Sequence, residues 1–159
     1  MHATLAMHMR YKARYSVAKP NPRDPRLLAI DTLQQVLNGR SLDTALAASS
    51  QACDTRERAL LAELSYGLCR WYGQLAAVVD VHLHKALRKK DQDIYGLLLL
   101  GTYQLLYSRI PAHAAIATSV ELTRVQNKAW AGKLVNAVLR GVQRAVKNQT
   151  LASLSQAST

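Results

Sequence analysis

The 159-residue sequence contains no phenylalanine, only two cysteines and only ten acidic residues. Two cysteines cannot form the disulfide framework of a small secreted domain. We therefore expect Cys53 and Cys69 to be reduced thiols of a cytoplasmic protein. The most apolar run, 94–107, is shorter than the roughly 20 residues that a transmembrane helix needs. No membrane partner is therefore expected.

Motifs that mark common catalytic and metal sites are also missing from the sequence. There is no glycine-rich phosphate loop and no HExxH zinc-binding pattern. His82 and His84 are two positions apart and diverge on a helix, which disfavours a shared metal ion. No segment is typical of the parallel strands on which nucleotides bind. We predict no catalytic residue, no metal site and no cofactor within this chain.

Positive charge is abundant and unevenly placed. The chain has 21 lysines and arginines, a net charge of +11 and a pI of about 10.1. The cations are concentrated in residues 1–26 and 84–159, whereas the stretch between them is slightly acidic. This balance excludes a mimic of an acidic partner and favours a polyanion such as nucleic acid.

Apolar residues recur at helical spacing along most of the chain, and no segment reads as a strand. Asp24 followed by Pro25 predicts a helix start, and Gly39 predicts its end. The predicted helices cover residues 25–37, 41–50, 54–70, 72–87, 91–108, 112–126 and 130–147. The helix at 91–108 is apolar on nearly every side and is expected in the centre of a bundle. The predicted fold is an all-α bundle of about seven helices.

Two basic clusters are candidate RNA contacts. In the first 24 residues, cations are interleaved with Tyr11 and Tyr15, a pattern that suits phosphate contact and base stacking. In the last helix, four cations lie within about 60° of one another, bordered by Asn136, whereas Trp130 falls on the opposite, packed side. The predicted RNA-binding residues are Arg10, Lys12, Arg14, Lys19, Arg23, Arg26, Lys133, Asn136, Arg140, Arg144 and Lys147. The alternatives are a solubilising tail for the first cluster and an ordinary solvated helix face for the second.

A third basic cluster lies at the end of the predicted helix 72–87 and in the loop that follows it. It consists of Lys85, Arg88, Lys89 and Lys90. We interpret it as a solvated loop.

Three ordered segments resemble one protein family. They are LAELSYGLCR at 61–70, LGTYQLLYSRIPAHAA at 100–115, and LVNAVLR at 134–140 followed by Arg144. The resemblance is to the N-terminal NusB-like domain of ribosomal RNA (cytosine-5)-methyltransferases of the RsmB (Sun/Fmu) type. It spans roughly residues 26–144.

This resemblance implies an all-α NusB fold that helps to hold ribosomal RNA, in front of a catalytic domain that uses S-adenosylmethionine. That catalytic domain is expected to be absent from this chain. The sequence also departs from the family pattern HAAxAETV, because residues 117–120 are Ala-Thr-Ser-Val and lack the glutamate of that pattern. The arm before residue 25 has no clear family match and is predicted from Pro20, Pro22 and Pro25, which forbid a helix there, and from its charge. The predicted organisation is a basic flexible arm at 1–24, a NusB-like RNA-binding domain at 25–148, and a polar tail or linker start at 149–159.

Three functions are compatible with these observations. The first is an RNA-binding module that positions small-subunit ribosomal RNA for methylation by the missing domain. The second is a stand-alone transcription antitermination factor of the NusB type, which Gln104, His113 and Arg140 fit less well. The third is a helical module that docks its own catalytic domain or a ribosomal protein.

Overall fold

A computed structural model describes residues 21 and 23–157, and for 150–157 it describes the backbone alone. Within these residues the structure is all-α, as predicted, and contains no strand. Six α-helices follow one another: α1 (Pro25–Leu37), α2 (Leu42–Ala52), α3 (Arg58–His82), α4 (Gln92–Tyr107), α5 (Ala112–Val125) and α6 (Gly132–Ala157). Short 3₁₀ turns lead into three of them, at Thr55–Glu57 before α3, Lys89–Asp91 before α4 and Ala129–Ala131 before α6.

The predicted signals at the ends of α1 are confirmed. Asp24 accepts a hydrogen bond from the Arg26 backbone N–H at 2.9 Å, and Pro25 occupies the first turn. Because proline has no N–H to leave unpaired, it suits this position. Gly39 follows the helix with φ +99°, a left-handed conformation that favours glycine.

The two predicted helices at 54–70 and 72–87 are one helix, α3, of 25 residues. No proline interrupts the chain near Arg70, and Gly73 lies where its missing side chain leaves no packing defect. The helix ends at His82, before the predicted Leu87, since Leu83 has extended backbone. At the other end of the chain, α6 continues ten residues beyond the predicted Lys147, to Ala157.

Helix α4 lies in the centre of the bundle, as predicted. Its residues Leu97–Leu100 are all at most 1% exposed, although consecutive positions of a helix point in different directions. The helix contacts α3, α5, α6 and α1, so each of its sides is covered by another helix. Glycines permit close approaches to its neighbours: a Cβ on Gly67 of α3 would lie 2.2 Å from the Tyr103 ring, and one on Gly101 would lie 2.5 Å from Leu139.

Candidate nucleic-acid interface

The cations of α6 form a single exposed row, which we call the α6 row. It consists of Lys133, Arg140, Arg144 and Lys147. At 1.5 Å of rise per residue, the row extends about 21 Å along the helix. Among the described residues none of the four forms an ion pair. Their charges are therefore available to a polyanion.

The opposite face of α6 explains why the row is exposed. Val135, Leu139 and Val142 are fully buried, on the side of α6 that packs against α4 and α5. This apolar stripe fixes the rotation of the helix about its axis, so the cations between the stripe residues point to solvent. Asn136 borders the row, and its Oδ1 accepts a hydrogen bond from Arg140 Nε at 3.1 Å. That bond orients one guanidinium group on the row.

The basic residues near α1 are not part of this row. Arg23 is exposed, whereas the Arg26 side chain is only 14% exposed and makes two hydrogen bonds, of 2.9 and 2.8 Å, to the Asp24 carboxylate. Arg26 therefore fixes the start of α1, and much of its charge is neutralised there. The predicted contacts Arg10, Lys12, Arg14 and Lys19 lie outside the described residues.

Sequence reasoning did not connect the loop after α3 with the α6 row. His82, at the end of α3, lies against Gly141, where a Cβ would come within 2.7 Å of His82 Cδ2. Further along, the Lys90 carbonyl accepts a hydrogen bond from Lys128 Nζ at 2.7 Å. The loop 83–90 therefore runs beside the N-terminal half of α6. Its exposed cations are Lys85, Arg88, Lys89 and Lys90.

Lys128 is a structural cation. Its Nζ lies 2.7 Å from Asp93 Oδ1 and 3.1 Å from Asp91 Oδ1, and the Asp91 side chain is only 5% exposed. The hydrogen bond to Asp93, followed by that to Asp91, raises the pKa of Lys128. Asn127, with φ 56°, turns the chain into this position. The contact joins residues about 35 apart in sequence, and no local motif announces it.

Trp130 lies in a different environment from the one that the helical pattern predicts. That pattern predicts Trp130 on the packed side of the last helix, but Trp130 is 57% exposed. It lies in the 3₁₀ turn before α6, so the angular spacing of the α-helix does not apply to it.

Elsewhere in the bundle, Trp71 stacks on Tyr107 with ring centroids 4.8 Å apart, and the Arg70 guanidinium lies 5.1 Å from the Trp71 ring.

The cysteines and the metal-ligating side chains of the described residues do not assemble into a metal site. Cys53 and Cys69 are free thiols, and burial raises the pKa of each, which lowers the fraction present as nucleophilic thiolate. No three His, Cys, Asp or Glu side chains of the described residues come together as metal ligands would. Across the same residues, no helix has both the length and the apolar character needed to cross a membrane.

The profile of the NusB family matches residues 23–144. The chain belongs to the NusB family. The match covers α1 to α5 and the part of α6 that carries Lys133, Arg140 and Arg144. Lys147 lies beyond it. The basic row is thus largely a feature of the NusB domain itself.

Relatives of this NusB domain share one description, ribosomal RNA small subunit methyltransferase B. Those of Pseudomonas syringae pv. tomato and Pseudomonas putida are each 43% identical over 122 residues, which is 76% of this chain and 27% and 28% of the relatives. The Vibrio vulnificus protein is 39% identical over 120 residues, which is 75% of this chain and 28% of that relative. The chain thus spans about a quarter of the length of these relatives and matches their N-terminal region.

Proposed function

We propose that this NusB domain binds small-subunit ribosomal RNA and holds it for methylation at cytosine by a ribosomal RNA small subunit methyltransferase. The observation that carries the proposal is the α6 row, in which four exposed cations are free of ion pairs to the described residues. Phosphate contacts of this kind supply most of the affinity of nucleic-acid binding and position the ligand. The names of the relatives support ribosomal RNA as the ligand and, with it, a cytoplasmic location.

The described residues take no part in methyl transfer in this proposal. They form helices only, so they do not supply the strand-edge crevice in which a donor such as S-adenosylmethionine binds. We assign donor binding and chemistry to the portion of the relatives that this chain does not match. Within this chain, the domain orients RNA and carries no catalytic group.

The test is a fluorescence-anisotropy titration across a salt series. The RNAs are a small-subunit ribosomal hairpin, an antitermination-type single strand and a scrambled control. The variant Arg140→Gln/Arg144→Gln should bind about tenfold more weakly at low salt and lower the magnitude of the salt slope by about two, one for each phosphate that is no longer neutralised. The matched control Arg40→Gln/Arg56→Gln removes the same charge from exposed positions outside the row.

The outcomes separate the three functions. Preference for the ribosomal hairpin, abolished when the α6 row is changed, supports the proposal. Preference for the single strand would instead indicate an antitermination factor. Equal and weak binding to all three RNAs, with the two variants indistinguishable, would contradict RNA binding by the row and favour a module that docks a catalytic domain or a ribosomal protein.

A further inference from the structure

A cleft of about 350 Å³ opens where three elements of the bundle meet. It lies between α1, the turn that leads into α4, and the end of α5. Each element contributes a glutamine to the lining: Gln34 from α1, Gln92 from α4 and Gln126 at the end of α5. Leu27 and Ile30 of α1 add apolar surface. The cleft is therefore part amide and part apolar, as the flat faces and polar edges of a nucleobase require.

Two of the three glutamines have unused hydrogen-bonding groups. The Gln126 Oε1 is buried and has no hydrogen-bond partner among the described residues. Gln34 makes no side-chain hydrogen bond to them either, whereas Gln92 Nε2 donates to the Arg88 carbonyl at 3.3 Å. A buried acceptor without a partner costs free energy, which rotation of the Gln126 amide toward the cleft and a bound donor there would remove. The amino group of a base is such a donor, and a glutamine amide can both donate to and accept from a base edge.

The charges around the cleft favour an anionic strand. Lys89 and Lys90 line it and are exposed, and neither forms an ion pair with the described residues. Of the two acids in the lining, Asp93 is paired with Lys128 at 2.7 Å, whereas Asp31 accepts only from the neutral Gln35 amide at 2.8 Å and keeps its charge. The two lysines outnumber the one carboxylate without a cation, so the lining retains a positive balance toward an incoming phosphate.

The cleft lies close in the chain to both basic regions, at the start of α1 and just before α6. Lys128 Nζ donates to the Lys90 carbonyl at 2.7 Å, and α6 begins four residues later with the α6 row. The basic segment 1–24 joins the domain at Pro25, within one turn of Leu27. The Lys128–Lys90 hydrogen bond therefore brings the N-terminal end of α6, where the α6 row begins, toward the lysine side of the cleft.

We propose that the cleft binds one unpaired base of the RNA strand whose phosphates contact the α6 row. The inference rests on the proposed RNA-binding function and adds a base-recognition site to it. A paired base cannot enter, because its polar edge is occupied by its partner and its faces by its neighbours. The domain should therefore prefer a ribosomal hairpin that carries an unpaired nucleotide to the same hairpin with every nucleotide paired.

The test compares two kinds of variant on a 12-nucleotide single-stranded RNA and on the same sequence as a duplex. Gln34→Ala/Gln126→Ala removes the two amides without changing charge, and should weaken single-strand binding about tenfold while leaving the salt slope unchanged. Duplex binding should change less than twofold. Gln51→Ala/Gln74→Ala removes two exposed amides on other helices as the matched control, and thermal unfolding confirms that every variant folds.

An abasic scan of the oligonucleotide makes the test specific. If one base occupies the cleft, one abasic position weakens binding to the wild type and has no further effect on the Gln34→Ala/Gln126→Ala variant. Equal responses of both proteins at every position would overturn the cleft proposal, as would an unchanged single-strand affinity. Failure of the proposed function is a different result: Arg140→Gln/Arg144→Gln would then bind either RNA as well as the wild type does.

Discussion

Helices α4 and α6 make opposite uses of their surfaces. Every side of α4 is covered by other helices, and its sequence is apolar in nearly every direction. Helix α6 packs a narrow stripe of valines and leucine on the bundle and turns a row of four cations outward. The two helices therefore differ in what their side chains do. The residues of α4 are explained by packing, whereas the α6 row is exposed and forms no ion pair with the described residues.

The largest effect on stability is expected from a substitution in the buried core of α4. Leu98 is fully buried, and Leu98→Ala should lower the free energy of unfolding by about 2–5 kcal/mol, because removing most of an apolar side chain leaves a cavity in a close-packed core. Urea unfolding followed by circular dichroism measures this. A decrease below about 1 kcal/mol would show that α4 is not the centre of the core.

The next effect concerns the contact that joins α4 to the chain before α6. Lys128→Met should lower the free energy of unfolding by about 2 kcal/mol, because it leaves the buried Asp91 carboxylate without its closest cation. The same urea titration measures it. Arg124→Met is the control, since that cation forms only an exposed pair with Glu121, and it should change stability by less than about 0.5 kcal/mol.

The same contact predicts a pH dependence. Since hydrogen bonds to Asp93 and Asp91 raise the pKa of Lys128 above its ordinary 10.5, the folded state holds this proton more tightly than the unfolded state. The stabilisation is fully present below pH 10.5 and is lost as the pH rises through the higher folded value. Unfolding of wild type and Lys128→Met, measured from about pH 8 to pH 12, should converge at the alkaline end. A constant difference would contradict the ion pair.

A smaller effect is expected where α4 and α6 touch. A Cβ on Gly101 would lie 2.5 Å from a methyl group of Leu139, which is itself fully buried. Gly101→Ala should therefore cost about 1 kcal/mol, the overpacking penalty less the gain in helix propensity. Gly73→Ala, where a Cβ meets nothing within 4 Å, is the matched control and should be stabilising. Thermal unfolding of the two variants gives opposite shifts if α4 and α6 pack this closely.

Local signals predicted the parts of the fold that local chemistry controls. The start of α1 at Asp24-Pro25, the turn at Gly39 and the central position of α4 all follow from residues adjacent in sequence or on one helix. The α6 row was also predictable, because an exposed face depends only on the helical period. The continuity of α3 was missed because nothing near Arg70 decides between one long helix and two short ones.

Features assembled from distant segments were not predictable. The Lys128 contact joins residues about 35 apart, and the cleft takes its glutamines from three different elements. Sequence patterns report which face of a helix is buried, but they do not report which helix ends meet. For the same reason, the sequence predicts only a helix that runs to Leu87 and a solvated basic loop at 88–90, since the fold alone brings the segment 83–90 beside α6.

The smallest effect on stability is expected from a substitution in the α6 row. Arg140 and Arg144 are four residues apart, and Arg144 and Lys147 are three apart, so neighbouring like charges repel along α6. Arg144→Gln should therefore raise the free energy of unfolding by a few tenths of a kcal/mol at about 20 mM salt, and the gain should vanish at about 300 mM because salt screens the repulsion. The measurement is urea unfolding at both salt concentrations, beside RNA titrations of the same protein. A variant that is more stable and yet binds RNA more weakly would show that the row is kept at a cost to the fold. A decrease in stability at both salt concentrations would instead give Arg144 a structural role that its exposed position does not suggest.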